Sequence, residues 1–291
     1  MVCVVGASNT DLIAYVPRLP RLGETLHGTD FRTGFGGKGA NQAAMAAKLG
    51  ARVSMVTRLG RDAFGEATLE NFRSLGIDTT HVGIDDRAPT GVAPIAVAPN
   101  GDNSIVIVTG ANDRMTLEDV ERARPAIAAA DVLVCQLEIP HELSFAALRI
   151  AREEGTTAIL NPAPAADGLP FELADVLCPN EPETELLLGH PVEDPAAAAR
   201  ELRARGAVAV VLTLGERGCL VATGDGERLL PAEPVEALDT TGAGDAFVGS
   251  LAVYLAGGDS LFGAAERANH VAALSVRRRG TQTSFPAADE L

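Results

Sequence analysis

Near the C-terminal end, the run Asp239-Thr240-Thr241-Gly242-Ala243-Gly244-Asp245 passes directly into the apolar stretch Ala246-Phe247-Val248-Gly249-Ser250-Leu251. Small residues at 242–244 let backbone approach a ligand closely. The first N–H groups of a helix starting here have no intrahelical acceptor, so they point at negative charge. A phosphoryl group suits that place. Asp245, at the same helix start, would repel an anion, but it suits a base that takes a proton from an attacking hydroxyl beside a phosphate. Taken alone, the run also reads as an N-capping turn in which Asp245 only offsets the helix dipole. The rest of the chain decides between the two.

A second dense motif, Gly34-Phe35-Gly36-Gly37-Lys38-Gly39-Ala40-Asn41-Gln42, opens the helical pattern Ala43 to Leu49, which stops at Gly50. It contains G-x-G-x-x-G, but the upstream Asp30-Phe31-Arg32-Thr33 is short and polar where a dinucleotide fingerprint needs a buried strand. It also lacks the Ser or Thr after Lys38 and the spacing of a P-loop. What remains is a glycine-rich turn that presents backbone N–H groups, Lys38 and the Asn41 amide at a helix start. Such a group fits a polyhydroxylated ligand, whose hydroxyls need both donors and acceptors.

The elements that must position these groups follow from periodicity. Apolar runs at 53–56, 132–135, 158–160, 176–178 and 208–212 alternate with helical patterns at about 39–49, 63–75, 141–154, 195–205, 243–255 and 261–277. Parallel strands joined by crossover helices are predicted, hence a doubly wound α/β/α sandwich. Ligands in such sheets bind beyond the carboxyl ends of the strands, where the segments carrying Asn9 to Asp11, Glu138, Asn161 and Asn180 are expected to fall. Two stretches break the alternation. Residues 12–16 with 24–33, and 91–98 with 104–108, read as hairpins without crossover helices, forming a small separate sheet.

Composition restricts the partners. The 291 residues, 46% of them hydrophobic, can supply one large core, and one main domain over 1–291 is expected. With 24 basic against 39 acidic residues the net charge is -15, which disfavours nucleic acid or an anionic membrane as partner. Positive charge for a nucleotide must then be local or supplied by metal. The strand-like Val2 to Val5 stands at the N-terminus and no apolar stretch approaches the about 18 residues of a membrane span, so a cytoplasmic location is expected. Cys3, Cys135, Cys178 and Cys219 sit singly in or beside apolar runs and read as buried reduced thiols. The five histidines lack zinc-site spacing. Arg277-Arg278-Arg279 reads as a solvated helix end.

The anchors Gly6-Ala7-Ser8-Asn9-Thr10-Asp11, Gly36 to Gln42, Gly110-Ala111-Asn112, Gln136-Leu137-Glu138, Asn161-Pro162-Ala163-Pro164-Ala165, Asn180 with Glu183, Thr213-Leu214-Gly215 with Gly218, and Asp239 to Asp245 run from end to end of the chain. On these the protein resembles the ribokinase family of carbohydrate kinases. The glycine-rich motif near residue 37 and the Asp239–Asp245 run are the family's specific signatures. The resemblance implies a ribokinase-like three-layer α/β/α sandwich with a mostly parallel central sheet. It also implies that the small sheet, about 12–34 and 91–108, is a lid over the sugar, and that two lids pack together in a homodimer. The run Ile105 to Val108, apolar on both faces, suits such a partner.

Roles follow from the same resemblance. It implies ATP-dependent phosphorylation of D-ribose at its 5-hydroxyl. Asn9, Asp11, Gly37, Lys38, Asn41 and Glu138 would hold the sugar together with Asp245, the general base. Gly242, Ala243 and Gly244 would stabilise charge on the transferring group. Asn180 and Glu183 would organise Mg2+ through water. Thr213, Gly215 and Gly218 would line the ATP site, with Asn180 and Gly244 toward its phosphates and Asn269 near the adenine. A monovalent cation, potassium, would sit beside the anion hole at Asp239, Thr241, Ser275, Arg278, Gly280 and Ser284, held largely by backbone carbonyls. Two other readings stand beside a ribose kinase: a kinase of another pentose, a deoxypentose or a nucleoside, and a non-catalytic sugar sensor. Intact Asp245, Gly242, Gly244, Asn180 and Glu183 speak against the sensor, which needs neither base nor metal shell.

Overall fold

The structure, a computed structural model, describes residues 1–291. In chain order the strands are β1 (Val2–Val5), β2 (Asn9–Tyr15), β3 (Asp30–Gly36), β4 (Val53–Gly60), β5 (Val82–Asp85), β6 (Gly91–Val97) and β7 (Asn103–Ile105), then β8 (Val132–Cys135), β9 (Thr157–Leu160), β10 (Val176–Leu177), β11 (Ala209–Thr213), β12 (Cys219–Thr223) and β13 (Gly226–Leu230). The helices are α1 (Lys38–Lys48), α2 (Ala63–Ser74), α3 (Leu117–Arg122), α4 (Arg124–Ala128), α5 (His141–Glu154), α6 (Glu181–Leu188), α7 (Pro195–Ala204), α8 (Ala243–Ala256) and α9 (Leu261–Ser275). No helix is long and apolar enough to cross a membrane.

Every residue of β1 is buried, because its Val-Cys-Val-Val run meets helices on both faces. Cys3 and Val5 point into one apolar layer with Ile127, Leu148 and Leu202, while Val2 and Val4 point into the other with Met45, Phe72 and Leu251. The two layers hold 34 and 30 buried residues, so the sheet is covered about equally on both sides and the sandwich has three layers. The sheet runs β13-β12-β11-β10-β9-β8-β1-β4-β5. It is parallel from β11 to β5, and β12 and β13 add an antiparallel edge.

That antiparallel edge, β5 and the helices α3, α4 and α6 all go beyond the periodic reading. The helices run only 6, 5 and 8 residues, too short to show a period, and α4 and α6 carry proline in their first turns. The small sheet has the order β3-β2-β6-β7. Both expected hairpins are present, joined by parallel pairing of β2 with β6 from Asn9↔Gly91 to Tyr15↔Val97. β7 is shorter than expected, but Val106 and Val108 still bond to Pro94 and Val92. Pro94 accepts there without needing to donate, which is how proline is tolerated in this strand. Ile105, Val106, Ile107 and Val108 are roughly half exposed.

Candidate active site

Because β1 ends at Val5 and the chain turns at Gly6 into β2, the start of α1 lies across this junction. Gly37 caps α1 at φ +85°, and a Cβ there would stand 2.8 Å from both the Ala7 carbonyl oxygen and the Asn9 nitrogen. Only glycine fits. The crossing brings Lys38 beside the segment after β8, where the Lys38 N–H donates to Glu138 Oε2 (2.7 Å). Asn112 fastens the same corner by accepting from Ser8 N–H (3.0 Å) and donating to Asn9 Oδ1 (2.9 Å). Asn9, Lys38 and Glu138 line a cavity of about 680 Å3, with Ile107 and Thr109 from the region of the small sheet.

From the other side comes α8. Its cap, Gly242, has φ +78°, and a Cβ there would meet Thr281 Cγ2 at 2.6 Å. The Ala243 N–H donates to the Thr240 carbonyl (3.2 Å), whereas the N–H groups of Gly242 and Gly244 have no acceptor in the protein. A Cβ on Gly244 would meet no protein atom within 4 Å, so packing does not require a glycine there. Asp245, in the first turn, is buried, and both its oxygens accept from α1: Oδ2 from Asn41 Nδ2 (2.8 Å) and Oδ1 from Gln42 Nε2 (2.9 Å). A buried carboxylate is held in place by such charge-assisted bonds.

The charges here are coupled. Burial would lower the Lys38 ammonium, but Asp245, Glu138 and Glu183 prevail and raise it. Burial first, then Glu138 and Asp245, pushes the Asp11 carboxyl up to about 6. Burial also raises Glu138, against the pull of Lys38, and raises Glu183. Four acids thus face one lysine, an arrangement that favours donors, hydroxyls or cations arriving from outside.

The remaining predicted residues fall into two groups beside this centre. Asn180 and Glu183 form a capping box on α6, Glu183 Oε2 accepting from Asn180 N–H (2.9 Å) and Asn180 Oδ1 from Glu183 N–H (2.8 Å). Thr213, at the end of β11, bridges to Asn180, and Gly215 and Gly218 form the turn that follows. Asn269 lies across the sheet edge, its Nδ2 tied to the Leu230 carbonyl (3.1 Å). Asp239 joins the turn before α8 to the segment after α9, accepting from Thr241 N–H (2.9 Å) and Gly280 N–H (2.9 Å). Ser284 donates to the Thr281 carbonyl and Ser275 to that of Ala272, both at 2.8 Å, while the Arg278 side chain turns away to Glu290.

Sequence reasoning assigned no role to four buried amides. Gln42, Gln136 and Asn161 stand inside or beside the quoted motifs, and an amide within an apolar run was their signal. Gln282 gave none; it donates to Asn41 Oδ1 (3.1 Å) and accepts from Asn71 Nδ2 (3.0 Å). All four cysteines are buried and unpaired, and burial pushes Cys3 and Cys219 up to about 12, so neither is a ready thiolate. No three His, Cys, Asp or Glu side chains converge on a possible metal position. A second hollow of about 630 Å3 lies along β5 against Arg58 and Asp119, but Arg58 is already paired with Asp85 (3.1 Å) and Asp119 (2.8 Å).

Comparison with known proteins gives the site a context. The model of the pfkB family of carbohydrate kinases matches residues 1–288. A ribokinase of Mus musculus is 45% identical, the match covering 98% of this chain and 91% of that protein. A deoxyribokinase of Salmonella typhi is 41% identical over 99% of this chain and 96% of its own. Among solved structures, Arabidopsis thaliana ribokinase complexed with ribose and ATP superimposes with a TM-score of 0.91 at 31% identity, covering 99% of this chain and 96% of that one.

Proposed function

Since the chain belongs to the pfkB family of carbohydrate kinases and is an ATP-dependent sugar kinase, we propose that it phosphorylates D-ribose at the 5-hydroxyl with Asp245 as general base. The observation that carries this reading is the position of Asp245. It is buried in the first turn of α8, gripped by two amides, and it follows a turn whose Gly242 and Gly244 N–H groups lack acceptors. Asp245 takes the proton of the 5-hydroxyl as that oxygen bonds to the γ-phosphorus, and the bond from γ-phosphorus to the bridging oxygen breaks to release ADP. The Gly242–Gly244 turn meets the charge on the transferring group, and the open space over Gly244 leaves room for it. Asn9, Asp11, Gly37, Lys38, Asn41 and Glu138 hold the sugar. An Asp11 carboxyl held up at about 6 gains most from hydroxyl donors.

ATP lies over Asn180, Thr213, Gly215 and Gly218, with Asn269 toward the adenine. Asn180 and Glu183 would hold Mg2+ through its waters, and the ion would supply charge neutralisation for the transferring phosphoryl group. Asn180 and Glu183 fit an ion that keeps its waters, since only Oε2 of Glu183 is engaged and no protein cage is offered. A potassium ion would sit beside the turn, where Asp239 accepts from Thr241 and Gly280 and its own N–H donates to the Val276 carbonyl (3.1 Å), with the carbonyls of Ser275 and Arg278 and the Ser284 hydroxyl as further candidate ligands. Half-exposed Ile105 to Val108 suit a homodimer through the small sheet, and a Val106→Lys variant that sediments unchanged would remove that idea.

The likeness to a deoxyribokinase at 41% identity favours 2-deoxyribose as the second reading. A coupled ADP-release assay against ribose, deoxyribose, arabinose, fructose and adenosine separates them. The highest kcat/KM is expected for ribose, and a clear preference for any other acceptor overturns the assignment.

A further inference from the structure

The amide of Gln42 has a direction that can be read from a fixed end. The Cys178 carbonyl can only accept, so Asn161 turns Nδ2 toward it (2.9 Å) and Oδ1 away. That Oδ1 lies 3.1 Å from Gln42 Nε2, and the same nitrogen lies 2.9 Å from Asp245 Oδ1. Both Nε2 hydrogens are thereby spent, one on each oxygen. The remaining atom, Gln42 Oε1, accepts from Gln136 Nε2 (2.5 Å). Turning Gln42 over would set oxygen against oxygen at Asn161 and Asp245, and nitrogen against nitrogen at Gln136. Gln42 and Gln136 are both fully buried, and Gln136 Oε1 has no partner. An orphaned buried oxygen is costly. It is the consequence of aiming Nε2 of Gln136 at Gln42.

We propose that Gln42 is a positioning residue for proton abstraction: it fixes Oδ1 of Asp245, so that the carboxylate keeps one plane and presents its free lone pairs to the incoming sugar hydroxyl. The proposal rests on Asp245 being the base. Gln42 has no exposed surface and therefore acts through Asp245, not through the sugar. The charged groups facing Asp245 are Lys38 of α1, Asp11 of β2, Glu138 after β8 and Glu183 of α6. Three of those four are acids. A neutral amide adds direction without adding charge.

The test is Gln42→Glu in the full chain, which keeps the shape and replaces the donor by a second carboxylate. Two buried carboxylates within hydrogen-bond reach share one proton, so the acid limb of the kcat–pH profile should move up by about two units or more. At neutral pH kcat should fall about 100-fold with the sugar KM within about threefold, and activity should return toward about pH 9. Gln42→Met, which only removes the amide, should lose about tenfold in kcat without any alkaline recovery. Equal losses in both variants with an unmoved acid limb would mean packing alone and overturn the proposal. Should Gln42→Glu not fold, Gln136→Met decides, because it frees Gln42 Oε1 and touches nothing at Asp245. A kcat reduced about threefold or more at unchanged KM supports the proposal, and an unchanged kcat overturns it. An inactive Asp245→Asn beside a normal Gln42→Glu profile removes Gln42 alone, whereas an active Asp245→Asn removes the base reading itself.

Discussion

Around Asp245 the polar contacts run from side chain to side chain: Asn41, Gln42, Gln136, Asn161 and Gln282 lock one another through buried amides. Around Gly242, a few residues earlier, the contacts are mostly to backbone. Asp239 accepts two N–H groups, Thr240 accepts from Ala243, and Lys48 donates to the Gln282 and Phe285 carbonyls at 2.6 and 3.0 Å. Asp245 is thus fixed by residue identity, and the Gly242–Gly244 turn by the path of the chain. Single side-chain changes should therefore act sharply at the first region. At the second they should act only where they alter the backbone.

The largest effect expected is at the base. Asp245→Asn keeps both the shape and sugar binding but removes the proton acceptor, and kcat should fall by about three orders of magnitude or more. Turnover within tenfold of the parent enzyme would show that Asp245 is not the base. At the turn, Gly242→Ala places a Cβ in the left-handed region and 2.6 Å from Thr281 Cγ2. A strain of about 1–2 kcal/mol plus that clash should displace the turn and cost kcat about 100-fold, while sugar binding measured by calorimetry stays intact. Equal loss of sugar affinity would show that the two regions are not separable.

Asp239→Ala probes the backbone-held turn. The parent enzyme should be about tenfold faster in potassium than in sodium at constant ionic strength, since screening alone treats both ions alike. The variant should show a flat response. Equal rates for the parent in both salts would remove the ion site.

Asp11 allows a test by pH. Its carboxyl is raised to about 6 in the folded protein from an ordinary 3.8, so the folded state is favoured below about pH 4 and that advantage is lost as pH rises through about 6. Asp11→Asn should therefore stabilise the sugar-free protein by up to about 3 kcal/mol at pH 8, with the gain vanishing near pH 4. Urea midpoints at the two pH values decide it, and a gain equal at both would mean that charge is not the cause. The same variant should raise the sugar KM. The smallest effect is expected for Glu183→Gln: a loss of a few-fold that extra Mg2+ partly restores, because the carboxylate works through the metal's waters. An unchanged magnesium dependence would leave Glu183 only its part in the capping box.

The layered α/β architecture was legible in the residues, because wholly apolar runs such as Val2 to Val5 alternate with helical periods such as 141–154, and both record local burial directly. The sequence also marked Asp245, Lys38, Asn41 and Glu138, since charged and amide groups set in glycine-rich or apolar surroundings stand out from their neighbours. The parallel pairing of β2 with β6 emerges only in three dimensions, because it depends on where the chain returns after α2 and β5. The same holds for the meeting of Gln282 with Asn41 across 241 positions and for the direction of the Gln42 amide, which is set by the Cys178 carbonyl two partners away. Of the residues proposed to hold a cation, only Asp239 and the Ser284 hydroxyl carried a side-chain signal in the sequence. Backbone donors and acceptors belong to every residue alike, so their function is a matter of where the fold places them.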